Sequence, residues 1–219
     1  MKALLLLTTL LSLDALANVY SKYPWRSTRS LSVCYASPEA YPRSIGQLTS
    51  VQISSFKSLE LTHIQNWIEE EYSSERTGIT FYGFGPCSET VADIVLFKGS
   101  GGGLIGGQAS VGPKNPGSVS GYPKARGYVL IYDIKKSSVV HEFGHVAGLM
   151  HEHLHPEAFS REGKCVQQFM RSPSPIDAQN FYTSYDYQSV MNYCAINGLG
   201  GENLGLSSGD LNALRELYP

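Results

Sequence analysis

Three histidines at fixed spacing constrain the fold of this chain more than any other feature of its sequence. Residues 141–151 read HEFGHVAGLMH, with His141 and His145 four residues apart. That spacing places both side chains on the same face of a helix, one turn apart. Gly148 then allows the chain to leave the helix without a Cβ penalty. We predict that the turn after it brings His151 to the same point as the first two histidines.

This arrangement indicates a zinc site of the catalytic type. Three protein ligands leave the fourth position of a tetrahedral Zn²⁺ open for water, whereas a structural site is closed by a fourth ligand. Glu142 follows the first ligand, where its carboxylate can act as the general base for a zinc-bound water. The alternative is a chance match on a surface helix, since HExxH alone arises by accident in roughly one chain in a hundred of this length. The added requirement for Gly148 and His151 makes such a match far less frequent.

Two further histidines, His153 and His155, lie close to the motif. Either could be considered as an additional ligand, but a fourth histidine would close the site. Their spacing from His151 is also not that of one helix face. We therefore expect both side chains at the surface or behind the ligands.

The motif and the residues after it resemble the metzincin clan of zinc peptidases. Glu152 directly follows the third histidine, and residues 185–193 read YDYQSVMNY. Both features resemble the astacin family, the second of them its Met-turn. The resemblance implies that Met191 lies beneath the zinc as a hydrophobic floor. It also implies that Tyr193 ligates or caps the metal and hydrogen-bonds the oxyanion, although ordinary core packing is the commoner fate of both residue types.

The same resemblance implies an α+β fold of two lobes with the active-site cleft between them. The N-terminal lobe, to about residue 151, would hold a twisted, mostly parallel sheet with an antiparallel edge strand and two long helices. The C-terminal lobe, 152–219, would be irregular and end in a helix. Residues 99–107 are rich in glycine and predict a flexible loop. They lead into 108–111, which resembles the edge strand that holds an extended peptide substrate in this family.

Hydrophobic periodicity predicts the elements around the motif. An apolar stripe of helical spacing runs from Leu61 to Tyr72, and Gly78 has the usual position of a residue that ends such a helix. The acidic run 69–71 would lie on the solvated face of this helix. Apolar and aromatic runs predict strands over 31–36, 79–84, 93–97 and 128–132.

Capping signals predict two helix starts. The helix that carries the first two histidines would begin near Ser137 or Ser138, since either serine can act as its N-cap. No regular pattern is visible in the C-terminal third before Ser207. There Ser207 and Asp210 have the spacing of a capping box, and leucines 211, 214 and 217 would line one face of a closing helix.

The N-terminus predicts export. Met1 and Lys2 precede an apolar run of 11 residues, 3–13, and Ala15-Leu16-Ala17 has the A-x-A pattern of a cleavage site. We predict a signal peptide over 1–17 and a single metallopeptidase domain over 18–219. A membrane anchor is the alternative, but a spanning helix needs about 20 apolar residues.

Four cysteines in an exported chain favour two disulfides over free thiols. They form no CxxC pair, so a cysteine zinc site is not expected. Four cysteines allow three connectivities. Cys165 follows the zinc helix and Cys194 adjoins the Met-turn, and these segments must converge below the metal if Met191 is to reach it. We therefore favour Cys165–Cys194, which leaves Cys34 to pair with Cys87.

Together these features predict a secreted zinc-dependent endopeptidase, extracellular or periplasmic, that cleaves a peptide or protein substrate as a monomer. The net charge is −2 and no basic block is present, which argues against nucleic acid and anionic membranes as partners. A zinc-bearing module that binds without cutting is one rival, and the intact Glu142 argues against it. A peptidase with a distal glutamate as third ligand is another, and His151 argues against that.

Overall fold

The computed structural model describes residues 19–21, 24–25, 28–37, 53–87, 92–100, 106–119, 121–169, 180–182, 184–198 and 204–219. The predicted signal peptide, 1–17, lies outside these residues. So do residues 101–105 of the predicted glycine-rich loop. Every statement of structure below concerns the described residues.

The strands form one mixed sheet and one small two-stranded sheet. Their bounds are β1 (Val19–Ser21), β2 (Ser30–Tyr35), β3 (Ile53–Ser54), β4 (Thr80–Pro86), β5 (Ile94–Gly99), β6 (Gly107–Ala109), β7 (Gly127–Ile131) and β8 (Asn180–Tyr182). The main sheet has the order β4-β2-β5-β7-β6, and β3 pairs with β5 beside this path. Strands β4, β2, β5 and β7 are parallel, whereas β6 is an antiparallel edge strand. The predicted mostly parallel sheet with an antiparallel edge is therefore confirmed, with strand bounds within two residues of expectation.

The helices pack on this sheet and continue into the C-terminal lobe. They are α1 (Ser58–Glu71), α2 (Ser74–Thr77), α3 (Lys136–Ala147), α4 (Ala158–Phe169), α5 (Tyr193–Gly198) and α6 (Ser208–Leu217), with a 3₁₀ turn at Glu152–Leu154. Ile64 and Ile68 of α1 meet Val140 and Phe143 of α3 in the main core. Every residue of β7 is buried, as expected for a central parallel strand covered on both faces. Within the described residues, no helix has the length and apolar character needed to cross a membrane.

Gly78 does not end the first long helix, contrary to prediction. The helix α1 stops at Glu71, and Ser73 starts the separate short helix α2 by accepting a hydrogen bond from the amide of Arg76 at 3.2 Å. Gly78 ends α2 instead, with a left-handed φ of 73°. The periodicity of the apolar stripe could not reveal this break. The break depends on the polar residue Ser73, which acts as the N-cap of a new helical turn.

Glu71 is also not solvated, contrary to prediction. Its side chain is buried and forms ion pairs with Lys136 at 2.7 Å and Arg76 at 3.2 Å. The amide of Leu206 donates to the same carboxylate at 3.2 Å, and a Cβ on Gly205 would lie 2.2 Å from it. Glu71 therefore joins α1 to the start of α3 and to the segment that precedes α6.

The C-terminal lobe is more regular than predicted, because α4, β8 and α5 precede Ser207. Strand β8 pairs with the N-terminal β1, and α4 and α5 are joined by a disulfide. The closing helix is confirmed: Ser207 Oγ accepts from the Asp210 amide at 3.0 Å, and the Asp210 carboxylate accepts from the Ser207 amide at 2.9 Å. The helix α3 begins two or three residues earlier than expected, with Lys135 rather than a serine at its N-cap.

Candidate metal centre

The three motif histidines converge on one point. His141 and His145 project from consecutive turns of α3, and Gly148 ends that helix with a left-handed φ of 106°. The chain then returns and brings His151 to the same place. One nitrogen from each ring lies within 4.8 Å of the others, and the Nε2 atoms of His145 and His151 are 2.9 Å apart.

Two of these histidines are held in the tautomer that binds a metal. His141 Nδ1 lies 2.8 Å from the carbonyl oxygen of Val190, and His145 Nδ1 lies 2.8 Å from that of Leu149. A carbonyl oxygen can only accept, so each Nδ1 carries the hydrogen and each Nε2 keeps its lone pair. This backbone support of the ligand ring is usual around metal sites.

Burial favours the neutral rings that a metal requires. Desolvation lowers the pKa of His141 to about 3 and that of His145 to about 4, and it lowers the pKa of His151 well below its usual value. The buried Nε2 of His141 has no protein partner in the described part of the chain. Three neutral imidazoles with converging lone pairs are the donor set of a catalytic zinc site. The residues therefore fit Zn²⁺.

Glu142 lies beside this triad in a cleft. Burial raises the pKa of its carboxyl well above the ordinary range, and its Oε2 has no protein partner among the described residues. The cleft has a volume of about 410 Å³ and runs between strand β6 and the segment after α3. Its wall includes Glu142, His145, His151 and Tyr193.

Met191 packs directly against the helix that carries the ligands. Its side chain is fully buried, and a Cβ built on Gly144 would lie 2.7 Å from Met191 Sδ. The same Cβ would lie 3.3 Å from the hydroxyl of Tyr72, which donates to the Val140 carbonyl at 2.7 Å. Gly144 is therefore a glycine because the methionine and the tyrosine occupy the space that a side chain would need.

The turn that carries Met191 is held by Asp210 of the closing helix. This buried carboxylate accepts hydrogen bonds from Ser189 Oγ at 2.7 Å and from the Val190 amide at 3.0 Å. Since the carbonyl of Val190 is the partner of His141 Nδ1, Asp210 supports a ligand through a single residue, Val190. From the sequence, Asp210 is identifiable only as part of a capping box, because its second role depends on residues 20 and 21 positions away.

Glu152 holds the same turn from the other side. It is fully buried, its Oε1 accepts from the Asp186 amide at 2.7 Å, and its own amide donates to the Met191 carbonyl at 3.0 Å. The residue after the third histidine thus links the ligand segment to the Met-turn. The resemblance to the astacin family drew attention to Glu152, and the structure shows the two hydrogen bonds that it forms.

Tyr193 packs against the histidine cluster. Its ring centroid lies 4.6 Å from that of His151, 4.6 Å from that of His153 and 5.5 Å from that of His141. Burial, with a smaller effect of nearby Glu142, raises the pKa of Tyr193 to about 12. The phenol therefore stays protonated at neutral pH and can donate a hydrogen bond.

His153 and His155 are both buried, so the surface position considered for them is wrong. His153 stacks on His151 with centroids 4.7 Å apart, which places it behind a ligand. His155 lies against Tyr185, with centroids 5.7 Å apart, and accepts from the Glu157 amide. A spacing rule could not show their burial, because it depends on how the 3₁₀ turn packs under Tyr193 and Tyr185.

All four cysteines are paired, in the connectivity that the sequence analysis favoured. Cys34 on β2 joins Cys87 just after β4, and Cys165 on α4 joins Cys194 on α5. The second bridge is next to Tyr193 in sequence. It therefore ties the segment that follows the Met-turn to α4.

Comparison with known proteins identifies the family of this chain and structurally similar proteins. The model of a peptidase family, M57, described as dual-action HEIGH metallo-peptidase, matches residues 40–218. Read as one-letter residues, HEIGH corresponds to HEFGH at 141–145, with Phe143 in place of isoleucine. A comparison with curated proteins found no match. A solved structure of high choriolytic enzyme 1, a hatching enzyme zinc-protease from the medaka Oryzias latipes, is similar at 15% identity and a TM-score of 0.49, covering 90% of this chain and 98% of that one.

Proposed function

This chain belongs to the dual-action HEIGH metallopeptidases of family M57, and we propose that it is a secreted endopeptidase in which Glu142 is the general base and Tyr193 stabilises the oxyanion. It is a zinc metallopeptidase, with His141, His145 and His151 as the zinc site. One observation carries the proposal: the carboxylate of Glu142 lines an open cleft beside three imidazoles whose ring nitrogens converge.

The chemistry divides between the metal and the side chains. When bound, zinc supplies a Lewis acid that polarises the peptide carbonyl and lowers the pKa of a coordinated water toward ~7. Glu142 accepts the proton of the attacking water at its carboxylate and later delivers it to the leaving amine.

Tyr193 and Met191 have supporting roles in this proposal. The protonated phenol of Tyr193 donates to the oxyanion of the tetrahedral intermediate. Met191 forms an apolar floor under α3, and the hydrogen bonds of Asp210 and Glu152 keep it there.

A peptide substrate would lie extended along the outer edge of β6. Among the described residues this edge strand pairs with β7 alone, so its other edge can pair with a substrate backbone. The cleft beside it is lined by apolar side chains, namely Ala109, Val111, Met150 and Leu154. We expect it to favour an apolar side chain of the substrate.

The proposal includes export and a monomeric catalytic domain. Residues 1–17 are the signal peptide and 18–219 the mature domain. The pairing of all four cysteines supports this, since structural disulfides persist in oxidising compartments.

The test is cleavage of denatured casein by the purified protein. We expect internal cuts, mapped by mass spectrometry, that 1,10-phenanthroline abolishes and added zinc restores. The non-chelating isomer 1,7-phenanthroline is the matched control and should have no effect. A zinc-loaded protein that does not cut would support a binding module, and release of terminal residues alone would exclude an endopeptidase.

A second expectation concerns Tyr193→Phe. Loss of the phenol should lower kcat about 10²-fold, as removal of one oxyanion donor does, and should change KM less, because the hydrogen bond matters chiefly in the transition state. Steady-state kinetics on a fluorogenic peptide taken from a casein cleavage site would measure both constants. An unchanged kcat would show that Tyr193 contributes to packing and not to stabilisation of the oxyanion.

A further inference from the structure

Two adjacent glycines lie flat against the helix that carries the zinc ligands. Gly107 begins the edge strand β6 and Gly106 directly precedes it, and Ser138 and Glu142 are one turn apart on α3. A Cβ on Gly106 would lie 2.4 Å from Ser138 Oγ. A Cβ on Gly107 would meet Glu142. The two glycines therefore allow the strand backbone to approach the same helix face that presents the base.

The contact at Gly107 involves the side chain of the base itself. Its Cβ would lie 2.6 Å from Glu142 Cγ, 2.8 Å from Glu142 Oε1 and 2.8 Å from the carbonyl oxygen of Leu130. The φ angle of Gly107 is not positive, so its backbone conformation is open to alanine. Space alone excludes a side chain at this position.

Only one of these neighbours can move freely. Leu130 lies in β7, which is paired with β5 on one side and β6 on the other. The start of β6 is fixed too, because the carbonyl of Gly106 accepts from the amides of Tyr132 and Asp133 at 2.9 and 3.1 Å. The backbone of Glu142 is inside a buried helix between two ligand turns. The contact with Glu142 is therefore relieved by rotation of its side chain, whereas the 2.8 Å contact with the Leu130 carbonyl oxygen requires a small shift between β6 and β7.

We propose that Gly107 is a positioning residue for the general base: its missing side chain forms the slot that holds the Glu142 carboxylate toward the metal site. The inference rests on the proposed role of Glu142. A side chain at position 107 would turn the carboxylate away from the attacking water while leaving the three histidines in place.

The first test is Gly107→Ala. We expect kcat to fall about 10²-fold, the usual cost of a displacement of about 1 Å in a catalytic group, with KM and bound zinc unchanged. Kinetics on the fluorogenic peptide and metal analysis of the purified variant give these values. Gly106→Ala is the matched control, because it crowds the same strand and helix at Ser138 but not at Glu142. Gly85→Ala, with no heavy atom within 4 Å of its Cβ, controls for the substitution itself.

A double-mutant cycle with Glu142→Gln decides how Gly107 acts. Once the base is absent, its position has no consequence, so Gly107→Ala should leave the residual kcat of Glu142→Gln almost unchanged. A further fall of about 10²-fold in that background would show that residue 107 acts on substrate or strand, and would overturn the inference. So would an equal loss in Gly106→Ala, or a Gly107→Ala effect confined to KM. Wild-type kcat in Glu142→Gln alone would instead refute the proposed function.

Discussion

Glu142→Gln should keep its zinc and lose about 10²–10⁴-fold in kcat, the range over which a positioned acid–base group contributes. Glutamine has nearly the same shape, so the buried packing against Gly107 and the three histidines survives. The amide cannot accept a proton at neutral pH, so activation of the water is lost. The change should appear in kcat and kcat/KM alike, since proton transfer belongs to the transition state.

The measurement pairs steady-state kinetics with metal analysis of the same sample. Glu69→Gln is the control, because this exposed glutamate of α1 does not line the cleft. Its side chain accepts a hydrogen bond from Gln65, on the same helix. It should cleave at the wild-type rate. If Glu142→Gln cleaves as fast as wild type with zinc bound, another group is the base.

The zinc site could be predicted because its signal is local. His141, His145 and His151 lie within eleven residues, and the helix and the turn at Gly148 that bring them together follow from that short stretch. The same holds for the closing helix, whose start depends on Ser207 and Asp210 alone. A motif no longer than a few helical turns fixes the relative positions of its own residues.

The residues that support the site could not be predicted, because their partners are distant in the chain. Glu71 reads as part of a solvated acidic run, yet it binds the amide of Leu206, 135 positions later. Asp210 reads as a cap, yet it also holds the Met-turn. In both cases tertiary contacts decide whether a charged side chain is buried, and no local pattern contains them.

The glycine-rich segment shows a different limit. Its composition predicts a flexible loop, but at its end Gly107 begins an edge strand and Gly106, directly before it, is held by hydrogen bonds to its carbonyl. Their lack of a side chain serves close approach to α3 rather than freedom of the backbone. The sequence shows that a glycine is present. Only the residues packed around it show whether the position needs its backbone freedom or its lack of a side chain.

The C-terminal end of the zinc helix is closed by residues from both ends of the described chain. The last carbonyls of a helix have no partner within it. Here the indole Nε1 of Trp25 donates to the Val146 carbonyl at 2.8 Å, and the hydroxyl of Tyr218 donates to the Ala147 carbonyl at 2.7 Å. The amide of Trp25 donates to the same hydroxyl at 3.3 Å. The N-terminal segment is thus built into the support of the metal site.

Trp25→Ala should therefore lower the free energy of unfolding by about 3–5 kcal/mol, the usual cost of deleting a large buried aromatic side chain. The indole is 2% exposed and lies in the main core, so its loss leaves both a cavity and an unpaired carbonyl at Val146. Urea unfolding of the zinc-loaded protein measures the change. Trp67→Ala, which removes a tryptophan that is only partly buried, should cost clearly less.

Trp25→Phe separates the two contributions, since it keeps most of the packing and removes the hydrogen bond, for a loss of about 1 kcal/mol. Equal stability of Trp25→Ala and Trp67→Ala would show that the N-terminal segment is only loosely attached. A large loss at Trp25 would mean that any proteolytic maturation must leave this residue in place. Cleavage after Ala17 meets that condition, because it leaves both Trp25 and strand β1 in the mature chain. The zinc helix would then keep its C-terminal cap after export.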